Sequence, residues 1–157
     1  MAKGRTRAGR LRGAAGAVLA LALLAPAAAS AQETQDTTRL PAALRTARSA
    51  FQAAYRGLDP VAAAGTFADS AVVDFQGQMF SGKVAIVESF LPTSVQGLAS
   101  IRFGPSSFTI TDREVVENGS YFVVPEGGQE QGGSFRTTWR RLADGWKIVK
   151  LEVFATG

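Results

Sequence analysis

The stretch from Leu58 to Leu91, LDPVAAAGTFADSAVVDFQGQMFSGKVAIVESFL, restricts the fold more than any other part of the chain. Asp59 suits a helix N-cap, and Pro60 follows at the first helical position, where a missing N–H costs nothing. A helix of about two turns is predicted, with Val61, Ala64 and Phe67 or Ala68 on one face. Ala71 to Phe75 then switches to a Val-rich strand, Gln76-Gly77 makes a turn, and Gln78 to Phe80 returns. After Ser81-Gly82 helical spacing resumes over Lys83 to Phe90, with Val84, Val87, Phe90 and Leu91 in one stripe, and Pro92 is expected to end or kink this helix. Helix, strand pair and helix in so short a span need a larger sheet to cover them.

The flanking sequence supplies it. Gln32 to Arg39 is polar and reads as a flexible lead-in, with Thr37 or Thr38 available to cap the next helix. Leu40 to Gly57 is the longest predicted helix: Leu44, Ala47 or Arg48, Phe51 and Tyr55 recur on one side, while Arg45, Arg48, Gln52 and Arg56 supply the wet side. Beyond Pro92, Thr93 to Ser100 is a connector. Short apolar pieces at Ile101–Phe103 and Phe108–Thr111 flank Pro105, where a bulge or break is expected. Val115 to Pro125 reads as a strand in which Asn118-Gly119 is either internal or a hairpin turn. Glu126 to Gly133 is glycine-rich and reads as a loop. Ser134–Leu142 and Trp146–Phe154, joined by Ala143-Asp144-Gly145, form the clearest hairpin. Phe135, Thr137 and Trp139 share one face of it. On the last strand Val149, Leu151 and Val153 share one face, and Ile148, Lys150, Glu152 and Phe154 the other. Apolar residues on both faces predict a homodimer through the open sheet face. One α+β domain over residues 40–157 is the economical reading.

The first 31 residues stand apart. Lys3, Arg5, Arg7, Arg10 and Arg12 precede an apolar run from Ala14 to Leu24, and Ala29-Ser30-Ala31 forms a small-residue cleavage site before Gln32. The apolar run is shorter than the ~20 residues a membrane-spanning helix needs, so a secretory signal peptide is expected, with no stable membrane insertion after its removal. Export to the periplasm or the medium follows. Residues 32–157 retain 12 Lys and Arg against 13 Asp and Glu, a formal charge of −1, so the basic pI belongs to the leader and nucleic-acid binding loses its support. Histidine and cysteine are both absent. That removes imidazole acid–base chemistry, thiol nucleophiles and thiolate or histidine metal sites; the scattered carboxylates suggest neither metal nor cofactor.

The order of these motifs resembles the SnoaL-like branch of the nuclear transport factor 2-like superfamily, which includes steroid isomerases. The likeness rests on the long helix, the short helix ending Phe67-Ala68-Asp69, the strand Ala71–Phe75, the hairpin closing at Gly82, the helix opening Lys83-Val84-Ala85-Ile86, Trp139-Arg140-Arg141 and Asp144-Gly145-Trp146-Lys147-Ile148. It spans about residues 40–155. The resemblance implies a cone: a curved mixed or antiparallel sheet wrapped around three helices, with a lumen near the N-terminal helices. Relatives include isomerases, polyketide cyclases, epoxide hydrolases, dehydratases and non-catalytic modules, so the fold does not choose the function.

Asp74 is the carboxylate nearest the isomerases' general-base position, yet aligning through Phe67-Ala68-Asp69 puts Phe75 there. Neighbouring strand residues face opposite ways, which turns Phe75 into the lumen and Asp74 out. Phe51 lies near the first-helix tyrosine position of the isomerases and lacks the hydroxyl; Tyr55 is one turn on. No Asp or Glu occurs across Gln131 to Ala143, the strand that supplies the isomerases' wall acid. Tyr55, Tyr121, Thr137, Arg141 and Glu152 are the polar groups able to face the lumen, Arg141 and Glu152 being placed to pair across the last hairpin. Trp139, Phe90 and other aromatics form its apolar wall. The leading expectation is a lumen binding a small hydrophobic molecule. The alternatives are a cofactor-free isomerase, cyclase or hydratase using Asp74 or Glu152 with Tyr55 or Tyr121, and a non-catalytic assembly or partner-binding module.

Overall fold

The structure, a computed structural model, describes residues 31–155. The leader read at residues 1–31 lies, apart from Ala31, outside the described residues. A seven-stranded curved mixed sheet in the order β1-β4-β5-β6-β7-β2-β3 holds the helices on its inner face. Its strands are β1 (Gln32–Thr34), β2 (Phe67–Phe75), β3 (Gln78–Ser81), β4 (Leu98–Ile110), β5 (Glu114–Pro125), β6 (Gln131–Leu142) and β7 (Gly145–Ala155). All neighbours are antiparallel except β2 and β7, which run parallel. The expected α+β architecture, a curved sheet enclosing helices, is present.

Helix α1 (Ala42–Arg56) lays Leu44, Phe51, Ala54 and Tyr55 on the sheet. The Phe51 ring is the hub, within 4.9–6.2 Å of the rings of Tyr55, Phe67, Phe103 and Trp139. Gly57 ends the helix as predicted, whereas its N-cap is Pro41, without a side-chain cap from Thr37 or Thr38. In α2 (Pro60–Ala64) the Asp59 carboxylate accepts from the Ala62 N–H at 2.9 Å, so that cap forms as expected.

Several elements depart from the sequence reading. Gln32–Thr34 is not a loose lead-in: it pairs with Phe108–Ile110 as an edge strand, and Asp36 caps a 3-10 turn at Thr37–Arg39. Phe67 and Ala68 leave α2 and open β2; the pairing with β7 is irregular between Phe67 and Val72, and there the neighbours Phe67 and Ala68 are both buried, ahead of Ala71 and Val73. The third helical segment runs past Pro92: α3 (Lys83–Ala85), a π-helical turn (Ile86–Phe90) and α4 (Leu91–Val95). The widened turn closes with the Leu91 N–H donating to the Ile86 carbonyl, and Pro92 falls in the first turn of α4, where no donor is needed. Phe90 and Leu91 of the predicted stripe are buried, together with Ile86, whereas Val84 and Val87 are exposed.

Asn118-Gly119 is internal to β5. A Cβ on Gly119 would lie 2.6 Å from the Phe135 ring, so the glycine makes room for an aromatic on the next strand. Likewise Gly132 and Gly133 belong to β6 and not to the preceding loop. The expected bulge near Pro105 is present, between Phe103 and Ser106. A second one, between Thr138 and Trp139 opposite β7, shifts the phase of the last strand. Ile148 and Leu151 therefore both face inward, and Ile148 no longer argues for an apolar outer face.

One charged pair sits among these apolar contacts. Glu117, 2% exposed on the inner face of β5, accepts from Arg48 Nε of α1 at 2.8 Å and from Trp139 Nε1 at 3.3 Å. Arg48 also donates to Ser106 Oγ and lies over the Phe108 ring. Arg48, which the sequence left open between the apolar and the wet side, is thus a core tether, and Gln52 is buried, contrary to its expected place on the wet side. Arg48→Met is expected to cost about 3–5 kcal/mol in denaturant unfolding because it strands the Glu117 charge, and adding Glu117→Leu should recover most of that loss. A single variant as stable as the wild type would show that the pair does not hold α1.

Candidate functional site

The wide end of the sheet and the α4 segment enclose a cavity of about 200 Å³. Strand alternation supplies its walls: Ile101 and Phe103 of β4, Tyr121 and Val123 of β5, Phe135 of β6, Leu151 and Val153 of β7, and Phe75 of β2. Phe51 and Tyr55 close it from α1, and Phe90, Thr93 and Ser94 from the π turn and α4. No Asp, Glu, Lys or Arg lines this cavity. Its polar groups are the tyrosine and serine hydroxyls, Thr93, Gln76 and Gln96.

Of the residues singled out in the sequence, Phe51, Tyr55, Phe75, Phe90, Tyr121 and Phe135 meet here. Asp74, Glu152, Arg141, Trp139 and Thr137 lie elsewhere. Asp74 faces away from Phe75 and accepts from the Gly77 N–H at 2.8 Å, securing the β2–β3 turn. Glu152 lies on the outer face, where Lys150 donates to it at 2.8 Å. Arg141 does not pair with Glu152: it stands opposite Trp146, exposed beside Arg113 and Arg140 at the narrow end, while Glu152 stands opposite Arg136. The β6–β7 register separates the two by several positions. Trp139 is core, held by Glu117, and Thr137 is fully buried with its hydroxyl unpartnered among the described residues.

One of the residues missed, Glu117, had a signal. Val115, Glu117, Gly119, Tyr121 and Val123 share one strand parity, so a carboxylate within an otherwise apolar and glycine series marks a buried charge needing a cation. Gln76 gave none, because its contribution arises from a left-handed backbone (φ 55°) in the β2–β3 turn.

The cavity's hydroxyls are held protonated. Tyr55 OH donates to Ser94 Oγ at 3.4 Å, since Ser94 itself donates to the Leu91 carbonyl at 2.9 Å. Burial pushes the Tyr55 phenol well above its ordinary value, an effect the Ser94 contact only partly offsets. Tyr121 OH donates to the Phe154 carbonyl at 3.3 Å; burial raises its pKa as well, with Gln76 beside it acting the other way. Neither phenol is a base at neutral pH, and both can donate. Among the described residues no cluster of three or more carboxylates or other ligating side chains could hold a metal ion, and no helix is long and apolar enough to cross a membrane.

No protein-family profile matches the chain, and no curated protein matches it by sequence. Solved structures do resemble it. A nuclear transport factor 2-like superfamily protein from Salmonella enterica superposes with a TM-score of 0.62 at 14% identity, over 73% of this chain and 89% of that one. A nuclear transport factor 2-like protein of unknown function from Pseudomonas putida gives 0.63 at 15%, over 72% and 84%. A candidate ketosteroid isomerase from Shewanella frigidimarina gives 0.62 at 16%, over 71% and 94%. The chain has the nuclear transport factor 2-like fold. At such identities the likeness extends to the fold alone, and the chemistry must be argued from the cavity.

Two predictions follow from the site's polar groups. A phenol whose folded pKa is raised stabilises the fold fully below its unfolded value near pH ~10 and loses that contribution as pH rises through the folded value. Tyr55 and Tyr121 are the chain's two tyrosines, so phenolate absorbance should show Tyr121 titrating above the ordinary range and Tyr55 ionising only as the fold opens. Two phenols ionising together near pH ~10 with the fold intact would contradict the buried Tyr55. Thr137→Val, which replaces an unpartnered buried hydroxyl by a methyl, should raise unfolding stability by about 1–2 kcal/mol; a loss in thermal or denaturant melts would mean that the hydroxyl has a partner.

Proposed function

We propose that this is an exported, non-catalytic binding domain whose cone holds one small, uncharged, mainly apolar molecule. The observation that carries this reading is the lining: aromatic and aliphatic walls, a few neutral hydrogen-bonding groups and no ionisable acid or base of ordinary pKa. Bringing a free carboxylate or ammonium into such a space would leave it unpaired. The volume, about 200 Å³, bounds the size. It exceeds the ~150 Å³ apolar cavity that accommodates benzene and falls short of the ~300 Å³ at which drug-sized pockets begin, so this chamber takes a single ring with small substituents and not the fused four-ring body of a steroid.

The same lining weighs against an isomerase, cyclase or hydratase. Each needs a base within hydrogen-bond reach of the substrate. Asp74 is engaged in a turn and Glu152 on the outer face, while Tyr55 and Tyr121 remain protonated. Export is proposed on the basic and apolar leader of residues 1–31. Self-association, if it uses the open sheet face, would draw on the 46% exposed Phe154 and the 56% exposed Met79.

The test is calorimetric titration of residues 32–157 with toluene, indole and progesterone. Toluene and indole should bind saturably and progesterone should not. Val153→Phe, which fills the cavity from its wall, should weaken toluene by about tenfold or more, equivalent to about 1.4 kcal/mol. Absence of binding by either single-ring probe, or progesterone binding as well as toluene, would end this reading.

A further inference from the structure

Part of the cavity's wall belongs to a second space as well. A second cleft of about 310 Å³ adjoins it, and Gln76, Tyr121 and Val123 line both spaces. Beyond that shared wall the cleft is bounded by Gln131, Gly132 and Ala155. These are amide, backbone and small groups, and no charged side chain is among them.

The shared wall is built with care for position. Tyr121 stands opposite Gly133 across the β5–β6 ladder, and a Cβ there would lie 2.4 Å from the ring's Cζ and hydroxyl. The missing side chain is what lets the ring lie against β6. The Tyr121 hydroxyl is tied to the Phe154 carbonyl of β7, which fixes the far end of the ring. Gln76 approaches from the β2–β3 turn with φ 55°, a conformation favouring Asn or Gly over Gln, and its N–H donates to the Val153 carbonyl at 3.0 Å. A longer amide in a position suited to Asn or Gly reaches the wall between the two spaces, which points to a role beyond the turn.

We propose that the ligand site is bipartite: an inner apolar chamber that takes a ring, and an outer neutral-polar cleft that takes an uncharged hydrogen-bonding tail, with Gln76 and Tyr121 as the partition between them. The ligand class is an elongated, uncharged amphiphile, such as an aromatic or aliphatic body ending in an amide or alcohol. Gln76 and Gln131 each offer both a donor and an acceptor to such a tail, and neither offers the cation that a carboxylate tail requires. This inference rests on the binding reading above and narrows it to a class of molecule.

The experiment measures affinities of toluene, phenylacetamide, phenylpropanamide, phenylbutanamide and phenylbutanoate for residues 32–157, and for Gln131→Trp, which fills the outer cleft. Affinity should climb along the amide series by up to about fourfold per methylene that passes the partition, so that phenylbutanamide exceeds toluene by about tenfold or more. Phenylbutanoate should show no such gain. In Gln131→Trp the ratio of phenylbutanamide to toluene affinity should fall to about one. Toluene binding with no gain along the wild-type amide series would overturn the bipartite site and leave the single-chamber reading standing, whether or not the variant folds. A gain that persists in Gln131→Trp, or an equal gain for phenylbutanoate, would also overturn it. No binding of any probe would remove both readings together.

Discussion

A carboxylate 2% exposed inside a curved sheet is tolerable only if a cation reaches it, and the rest of this structure follows from how Arg48 does so. Arg48 projects from the middle of α1, so pairing with Glu117 fixes the helix over β4 and β5. Trp139 adds a donor from β6. With α1 held there, Phe51 lands among Phe67, Phe103 and Trp139, and Tyr55, one turn on, reaches the wide end. The charged pair thus lies at the deep end of the cone and the neutral cavity at the open end. All ionic character on the inner face is spent on anchoring, which leaves a chamber suited to an uncharged molecule.

Helical irregularity shapes the other side of that chamber. A regular α-helix through Glu88 to Pro92 would lose the hydrogen bond proline cannot donate and would crowd its ring against the preceding turn. The π turn absorbs this by adding a residue, and the same addition puts Phe90 and Leu91 side by side in the core. Phe90 then packs on Phe75 and Phe80 at 5.7 Å each, while Ser94 meets Tyr55. A local solution to one proline therefore sets which side chains close the cavity, and the neutral hydroxyls it delivers agree with the chemistry of the opposite wall.

Much of the candidate site was legible because strand alternation is a strict rule. It put Asp74 and Phe75 on opposite faces, the resemblance aligned through Phe67-Ala68-Asp69 implied that Phe75 is the one facing the lumen, and the placements of Asp74 at a turn and Phe75 in the cavity accord with both. Alternation failed where a residue was inserted. At β7 the bulge brought Ile148 to the same side as Leu151, which the simple parity had separated, and at β2 the irregularity between Phe67 and Val72 accompanies burial of the neighbours Phe67 and Ala68, which alternation would set on opposite faces. Arg48 stayed open for a different reason: a long side chain at the border of a helix's apolar face can be wet or buried, and the decision belongs to the partner 69 positions away.

The sequence by itself determined the chemistry that is absent and the order of the elements. Lack of histidine and cysteine, the Asp59-Pro60 helix start, the Gln76-Gly77 turn and the final hairpin are local facts, governed by residue type and by neighbours a few positions away. Tertiary structure alone decided which neutral groups share a cavity, how large it is, and that Gly119 and Gly133 serve as seats for Phe135 and Tyr121 instead of as turns. Those outcomes depend on cross-strand register and on aromatic rings meeting from distant elements. Such contacts are set by packing in three dimensions, which no local pattern of residues encodes.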